Sequence, residues 1–74
     1  MTTTSTTIKF PDLKGKPDEI RWYASALPAI GDVVNVRRDV DSFWHVLKVV
    51  GREFNVTAET NTVSVVLFAE RVAR

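Results

Sequence analysis

His45 is the only histidine of the chain, and it carries the side chain best suited to acid–base chemistry near neutral pH. As a general base it needs a carboxylate to orient the ring, which Asp39, Asp41 or Glu53 could supply. A single histidine excludes a two-histidine metal site. The alternative is that His45 is an outward residue of an apolar strand, stacked on its cross-strand neighbours, and we favour this structural interpretation.

The acidic pair Asp39 and Asp41 is the second candidate for chemistry, because two residues this far apart on a strand share one face. Such a pair could hold a cation, but more often it keeps a turn solvated. Gly15, Gly31 and Gly51 lie too far apart to form a phosphate-binding loop, and no nucleophile motif is present. The lack of cysteine excludes disulfides and thiolate metal sites. The sequence therefore predicts a protein without catalytic residues, metal or cofactor, and not an enzyme.

The longest apolar run, residues 43–50, gives the best indication of a functional surface. If Trp44 and Val46 fill the core, the odd-numbered residues of the same strand face water. A bulge could return some of them to the core; otherwise a partner must cover them, because an exposed apolar patch rimmed by charge marks an interaction site. The predicted partner-binding residues are Phe43, His45 and Leu47, with a rim of Tyr23, Arg21, Arg37 and Arg52.

Length and composition limit what can position these residues. The chain has 74 residues, which is room for one small domain. Its first seven residues are almost all threonine and serine, so we predict a disordered tail over residues 1–7 and a single β domain over residues 8–74.

Charge and hydropathy narrow the class of partner. The formal charge is +1 and the two signs alternate, which is typical of a solvated mixed surface rather than a basic stripe for nucleic acid. No apolar run approaches the ~20 residues of a membrane-spanning helix, and the N-terminus lacks the features of a signal peptide. We therefore expect a soluble cytoplasmic protein with no membrane partner.

Alternating apolar residues, β-branched runs and turn residues predict short strands along most of the chain. The expected strands cover residues 8–10, 19–27, 33–37, 43–50, 52–57 and 62–70. Five to six such strands predict an all-β fold, either a small barrel or a strongly curled antiparallel sheet. If the sheet does not close, an open edge as apolar as Val63 to Phe68 favours a homodimer that buries it.

Two of these segments also fit a helix. Residues 19–27 place Ile20, Tyr23, Ala24 and Leu27 on one helical face, but the preceding turn residues favour the strand. Residues 43–54 show a similar face, which we discount because Gly51 would fall inside the helix at a cost of about 1 kcal/mol.

From Leu27 to Phe68 the order of features resembles the SH3-like small β-barrels, especially short uncharacterised bacterial and phage proteins. The resemblance implies a barrel in which the glycine-aspartate turn leads into a strand and the aromatic-x-valine pair fills the core. It also implies a binding role. The residues that carry it are Pro28, Gly31 and Asp32, then Val33 to Val36, then Trp44, Val46 and Val49, and finally Val63 to Leu67.

The leading hypothesis is therefore a non-enzymatic protein-binding module. Its partner would be a second copy of the chain, or a host or assembly factor if the protein is phage-encoded. The alternative is a small barrel that binds nucleic acid or nucleotides by aromatic stacking and arginine contacts to phosphate. That alternative uses Trp22, Tyr23, Phe43 and His45 for stacking, with Arg37, Arg38 and Arg52 on phosphate.

Overall fold

A computed structural model describes residues 3–39 and 43–72 and shows an all-β protein. Within these ranges there is no helix, and the five strands form one strongly curled sheet shaped as a half-barrel. The all-β prediction is confirmed. The strands are β1 (Thr3–Pro11), β2 (Pro17–Arg21), β3 (Val33–Arg38), β4 (Phe43–Thr57) and β5 (Thr62–Arg71).

The strand order across the sheet is β2-β1-β5-β4-β3. Three of the four neighbouring pairs are antiparallel, but β1 and β5 are parallel, so the sheet is mixed rather than wholly antiparallel. β5 lies at the centre of the sheet. The apolar edge predicted for Val63 to Phe68 is therefore covered on both sides, by β4 and by β1.

Strand β1 begins at Thr3, earlier than the sequence predicted. A disordered tail was expected up to Ile8, yet Thr3 to Lys9 pair in register with Thr62 to Phe68 of β5. Threonine is β-branched and suits a strand. Backbone pairing with β5 orders these residues although their side chains bring little apolar surface. The prediction of disorder is wrong for residues 3–7, and Met1 and Thr2 lie outside the described residues.

The core lies on the concave face of the sheet, which we call the inner face. Its largest fully buried side chains are Ile8, Leu47, Val49 and Leu67, one or two from each of β1, β4 and β5. Partly buried hydrophobic residues of β2, β3, β5 and the β2–β3 connection pack against this core: Ile20, Trp22, Leu27, Val34 and Val63.

A register shift between Val49 and Gly51 divides β4 into two halves. Before the shift His45, Leu47 and Val49 point into the core. A bulge of one extra residue, Val50, reverses the alternation, because side chains alternate between faces with a period of two. After it, the even-numbered residues share the inner face: Arg52, Phe54 and Val56 lie opposite Leu67, Val65 and Val63 of β5.

The connection from β2 to β3 carries the chain from one edge of the sheet to the other. Of the strand predicted over residues 19–27, only Glu19 to Arg21 is strand; the rest is irregular, and the helical alternative is not observed. The predicted turn at Gly31 and Asp32 is present. Gly31 has a φ of 98°, and the Asp32 N–H donates to the Ala29 carbonyl at 3.0 Å, which closes a four-residue turn before β3.

Candidate interaction surface

The first half of β4 faces the other way from the predicted orientation. Leu47 is fully buried and His45 is 3% exposed, whereas Trp44 is 60% exposed. Of the three residues predicted to face a partner, only Phe43 is at the surface, where its ring meets the His45 ring edge-on at 5.5 Å between centroids. The predicted orientation of His45, Leu47 and Trp44 is therefore wrong, because a strand that is apolar on both faces gives no indication of which face is inside.

The four residues predicted as a rim are all exposed, but they do not surround one surface. Arg37 lies opposite Trp44 and Arg21 opposite Thr7, which places both arginines on the outer face at opposite edges of the sheet. Arg52 lies on the inner face, with its guanidinium 5.9 Å from the centre of the Phe54 ring. Tyr23 is 88% exposed and lines a groove of about 400 Å³ with Arg21 and Trp22.

The structure separates one of the carboxylates considered for chemistry, Glu53, from His45. Asp41 lies outside the described residues, and Glu53 is on the outer face opposite Val66, whereas His45 is on the inner face. In the part of the chain that the structure describes, no group of three or more histidine and acidic residues is placed to hold a metal ion. The register of β4 therefore keeps Glu53 from orienting His45.

An ion pair joins the two edges of the half-barrel near His45. The Arg38 guanidinium of β3 lies 3.3 Å from the Asp18 carboxylate of β2 and donates to the Glu19 carbonyl at 3.4 Å. Both charged side chains are about 29% exposed. Arg38, which the nucleic-acid hypothesis assigned to phosphate, is thus already engaged with a carboxylate.

The turn between β1 and β2 is built on Asp12. Its carboxylate accepts N–H hydrogen bonds from Lys14 and Lys16, each at 2.8 Å. The hydrogen bond from the Lys16 N–H lowers the pKa of Asp12, with a smaller contribution from the N–H of Lys14. Arg71 of β5 donates to the Asp12 carbonyl at 3.0 Å, so this turn is anchored to the centre of the sheet.

Beyond the core, at the end of the sheet near the β4–β5 turn, the inner face again exposes large apolar side chains. Phe54 is 56% exposed and Val56 is 66% exposed, although both lie opposite core-face residues of β5. We call Phe54, Val56 and the half-buried Val63 the distal patch. The sequence predicted no partner-binding role for Phe54 and Val56, although residues 52–57 alternate between apolar and polar side chains after Gly51.

One side of β4 is open along the distal patch. β3 pairs with β4 only from Phe43 to Lys48, and two further backbone hydrogen bonds join Val49 to the Gly31–Asp32 turn. From Gly51 to Thr57 the only strand paired with β4, among the described residues, is β5. Residues 51–57 therefore form an exposed strand edge that borders the distal patch.

The outer face also exposes apolar side chains, but charged residues separate them. Lys48 lies between Val33 of β3 and Glu70 of β5, which are its cross-strand partners. Phe68 of β5 lies opposite Lys9 of β1. A mixed surface of this kind is well solvated. The distal patch is therefore the better candidate for a partner-binding site.

Comparisons of the chain with protein-family models, with curated proteins and with solved structures each found no match. The described residues include no helix that is long and apolar enough to cross a membrane.

Proposed function

We propose that this protein is a non-enzymatic protein-binding module that binds through the distal patch and the open edge of β4. The observation that carries the proposal is the exposure of Phe54 and Val56 on the face that forms the core elsewhere. Apolar side chains next to an unpaired strand edge offer both side-chain contacts and backbone hydrogen bonds to a partner.

The surface area supports a protein as the partner. A compact monomer of 8.3 kDa is expected to expose about 4,600 Å², whereas this chain exposes 5382 Å². The excess of roughly 800 Å² is close to what one partner buries in a protein interface of standard size. The radius of gyration, 13.4 Å against about 11 Å for a compact domain of this length, likewise indicates a chain less compact than a globular monomer.

Burial of the distal patch would supply part of the free energy of binding. Full burial of a phenylalanine or valine side chain is worth about 1.5–3 kcal/mol. Phe54 and Val56 are still 56% and 66% exposed, so covering both would contribute on the order of 2–3 kcal/mol. Backbone pairing along the β4 edge would add hydrogen bonds and alignment.

Nucleic acid or nucleotide is the less supported partner. The stacking set predicted for it is divided, because His45 is buried and Trp22 is half-buried, and Arg38 is paired with Asp18. The resemblance to SH3-like barrels implies a binding role that agrees with the proposal. A cytoplasmic location and a phage-encoded role against a host or assembly factor stay predictions.

A photo-crosslinking residue introduced in place of Phe54 tests the proposal in living cells. The matched control carries the same residue in place of Leu13, which is 59% exposed in the β1–β2 turn. We expect protein adducts, including any adduct with a second copy, from position 54 and not from position 13. Equal adducts at both positions, no adduct at 54, or adducts with nucleic acid alone would contradict a protein-binding distal patch.

A further inference from the structure

The open edge of β4 differs from the edges formed by β2 and β3. β2 begins at Pro17 and carries Asp18 and Glu19, which are features that discourage strand pairing. β3 is flanked by the β2–β3 connection, where Trp22 and Leu27 share a groove with Val33 and Val34. Residues 51–57 of β4 contain no proline and no lysine, and no described segment covers their free side.

We propose that a second copy of the chain occupies this edge, with residues 51–57 of the two copies paired antiparallel about a two-fold axis. The inference rests on the proposed function and specifies its partner. An isologous contact of this kind needs only one self-complementary surface, and it would extend β4 and β5 of each copy into a continuous sheet.

The charge pattern of the edge suits self-pairing. With the axis at Phe54, each Phe54 meets its own counterpart, Arg52 meets Val56, and Glu53 meets Asn55. With the axis at Asn55, Phe54 meets Val56 and Glu53 meets Thr57. Neither register places like charges opposite each other, whereas an axis at Arg52 or Glu53 would do so.

Both favourable registers also complete the distal patch. Cross-strand partners share a face, so Phe54 and Val56 of one copy would lie beside the same residues of the other on the inner face. The two patches would form one apolar strip across the axis. The whole chain exposes roughly 800 Å² more than a compact monomer of its mass, which is similar in size to one partner's share of a standard interface.

The oligomeric state of the full chain tests the proposal by light scattering after size-exclusion chromatography, from micromolar to about millimolar concentration. We expect twice the chain mass of 8.3 kDa. Phe54→Lys, which places a charge on the inner side of the edge, should weaken association at least tenfold. Tyr23→Lys, at a position that is 88% exposed and away from the edge, is the matched control and should remain dimeric. Circular dichroism is used to check that both variants are folded.

Engineered cysteines report the register, because the natural chain has none. Cysteines introduced at positions 54 and 55 each lie on the axis of one of the two registers. The cysteine that lies on the actual axis should form an intermolecular disulfide with the same cysteine of the second copy. A cysteine at position 23 should not. A chain that is monomeric at the highest concentration, or a dimer that Phe54→Lys and Tyr23→Lys weaken equally, overturns self-pairing. If the monomeric chain still gives adducts with another protein at position 54, self-pairing alone fails and the proposed function stands.

Discussion

The orientation of β4 predicts very different costs for truncating two nearby side chains. Leu47 is fully buried opposite Val34 and Arg71, whereas Trp44 is 60% exposed opposite Arg37. Leu47→Ala should lower the free energy of unfolding by about 2–5 kcal/mol, since it removes buried methylene groups and leaves a cavity. Trp44→Ala should lower it by about 1 kcal/mol or less, because most of that side chain is already in water.

The cost of Leu47→Ala is large for so small a protein. At roughly 0.05–0.15 kcal/mol per residue, a chain of 74 residues has about 4–11 kcal/mol of stability, so Leu47→Ala removes a substantial share. The melting temperature should fall by about 10 °C or more, and Leu47→Val, which deletes one methylene group, should lose about 1 kcal/mol.

Urea and thermal unfolding followed by far-UV circular dichroism measure both quantities for the wild type and the three variants. The Leu47 variants should change the midpoint without changing the dependence on urea. If Trp44→Ala costs as much as Leu47→Ala, the reasoning is refuted, and Trp44 and Val46 would then be the core residues of this strand.

Three further predictions concern the turns and the half-barrel edges. Gly31→Ala should destabilise the protein by about 1 kcal/mol or more, because φ at this position is 98°. Gly51→Ala should cost little, because its new Cβ would lie 3.6 Å from the Phe68 ring, an ordinary contact distance. Equal melting temperatures for the two variants would contradict this difference. The 3.3 Å ion pair of Arg38 with Asp18 is partly solvated, so Arg38→Ala should lower the free energy of unfolding by less than about 1 kcal/mol. The variant should also lose part of the salt dependence of thermal unfolding. An unchanged salt dependence counts against a role for the ion pair. Because the pKa of Asp12 is lowered in the folded protein, its contribution to stability is present above the ordinary value of 3.8 and is lost as the pH falls through the lower folded value. Asp12→Asn should therefore flatten the acid end of the curve of stability against pH. An acid end identical to that of the wild type would disprove this contribution of Asp12.

The fold class could be predicted from local chemistry. Valine runs such as Val33 to Val36 suit a pleated strand, and Gly31 provides the positive φ that the turn before them needs. Asp32 also acts locally, because its carboxylate accepts the Ala29 N–H at 2.7 Å. Each of these features depends on residues within a few positions of one another, so the sequence contains the information directly.

The features that were missed depend on distant parts of the chain. Thr3 to Thr7 look disordered because their side chains are polar, but their order comes from pairing with β5, about 60 residues away. The orientation of residues 43–50 was undetermined since both faces of that strand are apolar, and packing against β3 and β5 decides which face is buried. The candidate site moved with that orientation, from Phe43, His45 and Leu47 to the second half of the same strand.

The extra residue at Val50 is what places apolar side chains at the exposed end of the inner face. If the pairing of Val49 with Ala69 continued without a shift, Glu53 and Asn55 would lie opposite Val65 and Val63 on the inner face, and Phe54 would lie on the outer face. That arrangement would leave this end of the inner face polar and well solvated, as expected for a strand whose only role is to pair with β5. The bulge produces the opposite arrangement, with Phe54 beside an open edge, and this is the reason to treat the distal patch as a surface for a partner.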